Sequence, residues 1–190
     1  MKTYDLKNKS IAILAADGFE QSELLSPKEA LENAGADTAV ISLRSGQITG
    51  YDSTKQEPNR RVTADIAVEN ANADDFDALL IPGGLQSPDA LRSDDHVQKF
   101  VRRFFADSKP VASICHGPWV LVDAGVLEGR KVTSYHSIKQ DLINAGARWV
   151  DEPVVTDQGL VTSRQPDDLD RFNEKLLEEV HEGKHAGQTV

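Results

Sequence analysis

The stretch Lys109-Pro110-Val111-Ala112-Ser113-Ile114-Cys115-His116-Gly117-Pro118-Trp119 decides the fold. Its apolar run, rich in Val, Ile and Ala, reads as a buried strand that ends at the cysteine. Pro118 to Leu127 reads as a helix with proline in its first turn, where a missing N–H costs nothing. Ser113 and Gly117 sit two residues either side of Cys115. Residues that small let a chain turn sharply from strand to helix and lift the central side chain out of the turn. This is the geometry of a nucleophile elbow, with Cys in place of Ser. A thiol at a helix N-terminus also feels the positive dipole end, which favours thiolate. The plainer alternative is a small buried hydrophobe, the commonest fate of a free cysteine. The elbow pattern and the adjacent His116 favour a nucleophile.

Working outward, strands and helices alternate. Ser10 to Ala15 and Thr38 to Leu43 read as strands, with a helix over Ser22 to Ala34 between them and Gly35 as its stop. Gln47 to Val68 reads as a hairpin excursion. Ala78 to Ile81 is a strand ending in Pro82-Gly83-Gly84, and His96 to Ala106 is an amphipathic helix. After the elbow come a short β-like piece at Val132 to Tyr135 and a helix over Ile138 to Ala145. A hairpin turning at Asp157-Gln158-Gly159 and a closing helix over Asp168 to His181 follow. Such alternation predicts an α/β fold: a flavodoxin-like, doubly wound, mostly parallel sheet with helices on both faces. Residues 1–190 are expected to form one domain, with its core over about 9–180 and a polar tail at 182–190. In such sheets reactive groups gather at the carboxyl ends of strands. Three ends stand out: Asp17-Gly18-Phe19-Glu20, Pro82-Gly83-Gly84, and Cys115.

Bulk properties narrow the function. The formal net charge of −10 opposes general affinity for nucleic acid or anionic membranes. No apolar run approaches membrane-spanning length, and the polar start from Met1 to Ser10 lacks a signal-peptide core. A single cysteine makes no internal disulfide, so a reducing cytoplasm is the expected compartment. His181-Glu182-Gly183-Lys184-His185 matches the H-E-x-x-H zinc pattern. Gly183 interrupts its helix and no third ligand follows, so no metal site is expected there.

Taken in order, Asp17-Gly18-Phe19-Glu20, Ile81-Pro82-Gly83-Gly84, Ser87-Pro88-Asp89 and Ala112-Ser113-Ile114-Cys115-His116-Gly117-Pro118 resemble the ThiJ/PfpI family. That family lies within the class I glutamine amidotransferase-like superfamily. Gly129 to Tyr135, Asn144-Ala145-Gly146-Ala147 and Thr162 to Leu169 extend the likeness over roughly residues 9–180. The resemblance implies that Cys115 is the nucleophile and Glu20 the buried, protonated acid beside it. It implies that Gly83 and Gly84 form a backbone nest able to hold an oxyanion. In the family's proteases a Cys-His-acid triad is completed by an acid of a neighbouring subunit. The matching position here is Asp89, where those proteases carry Glu. Consecutive elbow residues point different ways, so His116 is expected to act through substrate or water. Tyr135 and Trp119 are candidates for the pocket lining, with a core role favoured for Trp119.

The resemblance implies a cofactor-free, stress-protective cysteine enzyme that works as a homodimer or higher oligomer. Three activities suit one thiol. The first is addition to reactive carbonyls, on small molecules (glyoxalase type) or on glycated protein (deglycase type). The second is peptide hydrolysis, and the third a non-catalytic redox sensor or chaperone role. Glutamine amidotransfer needs a His-x-Glu pair after the last strands, and none follows Ser163.

Overall fold

A computed structural model describes residues 4–54 and 57–188, with backbone only for 57–59. Residues 1–3 and 189–190, the ends of the polar N-terminal stretch and of the polar tail, lie outside the described residues. The chain opens with β1 (Ser10–Leu14), β2 (Phe19–Glu20), α1 (Gln21–Asn33) and β3 (Asp37–Ser42). β4 (Gly46–Asp52), β5 (Glu57–Ala64), β6 (Ile66–Ala67) and β7 (Ala78–Ile81) follow. α2 (Gln86–Arg92), α3 (Asp95–Ala106), β8 (Val111–Ile114) and α4 (Pro118–Ala124) form the middle. The last part holds β9 (Lys131–Val132), α5 (Lys139–Asn144), β10 (Arg148–Trp149), β11 (Val154–Asp157), β12 (Leu160–Ser163) and α6 (Leu169–Glu182).

The main sheet runs β11-β12-β8-β7-β1-β3-β6. Every neighbouring pair is parallel except β11 with β12. Its strands are apolar on both sides because both faces are covered. Along β1, Ile11 and Ile13 enter one core and Ala12 and Leu14 the other. α1 and α6 cover the first face through Leu24, Leu31, Phe172, Leu176 and Val180. α2 to α5 cover the second, with Leu91, Phe100, Phe104, Leu121 and Leu142 buried there. The expected doubly wound architecture is therefore present. The excursion after β3 is a hairpin, β4 against β5, that joins β2 in a second small sheet.

Two details differ from the sequence reading. α2 occupies the stretch after Gly83-Gly84, where no element is read from the sequence. Pro88 is its third residue, within the first turn, where a helix needs no N–H donor. The elbow helix stops at Ala124 rather than Leu127, because Gly125 turns left-handed at φ 69° and takes the C-terminal carbonyls.

Chain order places the site. From β1 the chain winds out to β3 and β6, then returns to the other side of β1 as β7. The crevice at such a reversal, outside the carboxyl ends of the strands, is where these sheets hold ligands. β1, β7 and β8 all end there.

Candidate active site

Cys115 follows β8 in left-handed backbone, with φ at 62°. That conformation costs a non-glycine residue of order 1–3 kcal/mol and persists only where the surroundings impose it. Here both backbone groups of Cys115 are engaged. Its N–H donates to Ser163 O at 3.1 Å, and its carbonyl accepts Tyr135 N–H at 2.9 Å. Gly117 completes the turn. A Cβ on it would lie 2.5 Å from Ser113 Oγ and 2.6 Å from Ile81 O. The elbow read from small residues is thus the observed structure.

The acid against the sulfur is Glu23, not Glu20. Glu23 lies in the first turn of α1, fully buried, and its carboxyl meets the Cys115 thiol. Its Oε2 accepts Gly83 N–H at 3.0 Å, while Oε1 has no conventional hydrogen-bond partner among the described residues. Glu20 ends β2 and points elsewhere, accepting from Ser22 Oγ at 3.3 Å and Ser53 N–H at 3.2 Å. The physical reason is the buried stripe of α1, Glu23-Leu24-Pro27-Leu31, which carries Glu23 inward to the sheet end.

Gly83 also departs from its expected role. Its N–H serves Glu23, so it is not half of a nest for the sulfur. The N–H groups of Gly84 and His116 are the ones that meet the thiol. Gly83 remains indispensable by its lack of a side chain. A Cβ there would lie 2.5 Å from Cys115 Cβ and 2.5 Å from Glu23 Oε2. Gly84, at φ 86°, would place a Cβ 2.3 Å from Gly18 O.

His116 touches the sulfur after all: Nδ1 lies 3.2 Å from Sγ. Nε2 is 3.0 Å from Ser137 Oγ. If Nε2–H donates to that hydroxyl, Nδ1 is bare and faces the thiol as an acceptor. Tyr135 stacks on the imidazole, with centroids 4.8 Å apart and planes 28° apart. Trp119 is half-buried, packs on the core and lies tilted against His116, centroids 5.4 Å apart. Asp89 is exposed on α2 and is not the acid joined to His116 in this chain. Beside His136 a cavity of about 320 Å³ is lined by Ser134, Asp151, Arg164 and Gln165.

Burial governs the electrostatics. It raises Glu23 from 4.5 to about 8, helped by the charge of Glu20 and opposed by Gly83 N–H. Glu23 is therefore protonated at neutral pH. Burial also pushes the Cys115 thiol up, with the Glu23 charge adding to it. The N–H groups of Gly84 and His116 oppose this without winning. The dipole-stabilised thiolate expected from the sequence is corrected accordingly: Cys115 is only 8% exposed, and desolvation outweighs the dipole. Burial, then the charge of His136, lowers His116, which leaves it neutral at pH 7.

A doubly wound α/β fold with a strained cysteine elbow, a buried protonated acid and a neutral histidine defines a class of cysteine-centred proteins. The chain belongs to the DJ-1/PfpI family, whose model matches residues 9–179. It is 47% identical over 171 residues to a Bacillus subtilis protein named "Putative cysteine protease YraA", covering 90% of this chain and 97% of that one. A two-domain protein of Anabaena variabilis with DJ-1/ThiJ/PfpI-like and ferritin-like domains superposes with a TM-score of 0.84. It shares 35% identity, over 90% of this chain and 50% of that one. Drosophila melanogaster DJ-1beta superposes with a TM-score of 0.78 and 29% identity, over 92% and 94% of the two chains. No helix among the described residues is long and apolar enough to cross a membrane.

Proposed function

We propose that this protein is a cofactor-free cysteine enzyme that acts on small reactive carbonyls of the 2-oxoaldehyde type. The observation that carries the reading is the pairing of one thiol with two proton carriers of different kind, neutral His116 and protonated Glu23. The thiol sulfur bonds to the aldehyde carbon. His116 Nδ1 takes the S–H proton, and the carbonyl oxygen gains a proton from Glu23, giving a hemithioacetal. The Glu23 carboxylate then removes the C1 hydrogen while the neighbouring ketone oxygen takes the proton from His116. Return of the Glu23 proton to C2, with the C1 hydroxyl proton passing to the Glu23 carboxylate, gives the thioester of a 2-hydroxy acid and restores the protonated acid. Water cleaves the thioester, releasing the acid and restoring S–H. Atoms balance as oxoaldehyde plus water, with no external oxidant. The Gly84 and His116 N–H groups stand ready for the oxygen charge that develops.

Small substrates suit Cys115, a residue only 8% exposed at a strand end. Release of glycation adducts from protein is an extension of the same addition step. Peptide hydrolysis is the second reading, favoured by the relative named as a cysteine protease. It would need Asp89 of a second copy to reach His116, and so rests on a homodimer or larger assembly. Methylglyoxal consumption and casein cleavage, measured side by side for wild type and Cys115→Ser, separate the two. We expect methylglyoxal turnover that Cys115→Ser abolishes. Casein cleavage without methylglyoxal turnover would overturn the carbonyl reading.

A further inference from the structure

The end of α6 holds a second group of donor atoms, at the opposite end of β8 from Cys115. α6 stops at Gly183, whose φ of 83° turns the chain back on itself. The tail then docks: His185 N–H donates to Ser108 O at 2.8 Å. The His185 ring and Gln188 pack over Gly159, where a Cβ would lie 2.8 Å from His185 Cδ2 and 2.5 Å from Gln188 Oε1. The interruption that breaks the helical H-E-x-x-H pattern is thus what brings His185 back to the helix. His181 takes no part, since it faces Tyr4 and the Asp5 carbonyl.

One ligand atom from each of Glu179, Glu182 and His185 lies within 4.8 Å of the others. Glu179 is 7% exposed. Its Oε2 and His185 Nε2 are 3.0 Å apart. Both atoms are buried; they form an ion pair with each other when His185 is protonated, and neither has a conventional hydrogen-bond partner among the described residues. Two lone-pair atoms at this separation, not aligned as donor and acceptor, suit a shared cation. Tetrahedral ligands about 2.0–2.1 Å from zinc stand roughly 3.3 Å apart. The exposed Glu182 has only to swing inward by a small amount.

We propose that Glu179, Glu182 and His185 bind a divalent transition-metal cation of the zinc type, which clasps the C-terminal tail to α6. Two carboxylates and one neutral imidazole cancel the charge of such an ion. The imidazole disfavours magnesium and calcium, which seek oxygen ligands throughout. Binding displaces any proton held between Glu179 and His185. The cation has no part in the chemistry at Cys115.

Zinc titration by calorimetry tests this, on full-length protein carrying Cys115→Ser so that the thiol contributes nothing. We expect one equivalent of zinc to bind, and the thermal midpoint to rise with it. Glu182→Gln, an exposed change that leaves the fold intact by circular dichroism, should weaken binding at least tenfold. His185→Ala should do the same, and His181→Ala should change nothing. Absence of zinc binding, or a loss under tenfold in either of the first two variants, overturns the proposal. So does an equal loss in His181→Ala.

Discussion

Glu23 and Cys115 lie 92 positions apart in the chain and meet across Gly83, the one residue whose missing side chain lets them touch. The carboxyl arrives from α1 and the sulfur from β8, while the strand between them ends in glycine. Proton sharing at the site therefore depends on this one contact.

Glu23→Gln should lower methylglyoxal turnover at least 100-fold, within the usual worth of a positioned acid–base group. Gln keeps the acceptor for Gly83 N–H but carries no mobile proton. Glu20→Gln should cost under tenfold, because Glu20 acts only through its charge on Glu23. Steady-state rates for the two variants decide between the acids, and equal losses would return the role to Glu20.

Stability should also report Glu23. The unfolded carboxyl ionises near 4.5 and the folded one near 8. Between these values the folded state keeps a proton that the unfolded state has released. The Glu23 contribution is therefore complete below pH 4.5 and is lost as pH rises to about 8, at up to about 1.4 kcal/mol per pH unit. Urea unfolding of wild type at pH 5, 6.5 and 8 should show the decline. Glu23→Gln should flatten it and be relatively more stable at pH 8.

The rate profile should be a bell. The alkaline limb falls as Glu23 loses its proton near 8. The acid limb lies below the ordinary histidine range near 6.5, because burial and the charge of His136 hold His116 down. His136→Ala removes that charge, so the acid limb should move to higher pH while the alkaline limb stays. Profiles of kcat against pH for both proteins read the two limbs.

Gly83→Ala should be more damaging than its single methyl suggests. The added carbon would overlap Cys115 Cβ and Glu23 Oε2. Overpacking of this kind costs about 1–3 kcal/mol. A displaced carboxyl should cost turnover roughly 100-fold. Thermal melts and initial rates check both parts.

The sequence carried the fold because apolar strands and amphipathic helices alternate with clear punctuation. The Ser113–Gly117 spacing carried the elbow for the same local reason. Glu23 stayed hidden behind Glu20 because the site is built across the sheet, and neighbouring acids look alike in one dimension. A signal did exist: Glu23 sits with Leu24, Pro27 and Leu31 at helical spacing, an acid on an apolar stripe. Contact between His116 and the sulfur was not legible either. It depends on a left-handed φ at Cys115, which side-chain size permits but does not dictate. α2 was missed because Gly84-Leu85-Gln86-Ser87-Pro88 has the composition of a turn. Burial of Ser87, whose Oγ accepts Ala16 N–H at 2.8 Å, holds the helix in place.

The return of the chain to the far side of β1 also sets when the reactive centre can exist. β7 enters between β1 and β8, and Gly83, just beyond its end, packs against both the acid and the cysteine. A newly made chain, or one whose central strand has slipped out, carries Cys115 as an ordinary thiol with no proton-bearing neighbour. The thiol–acid pair thus requires β7 in its place between β1 and β8, and displacing that strand would take the pair apart without changing a single site residue.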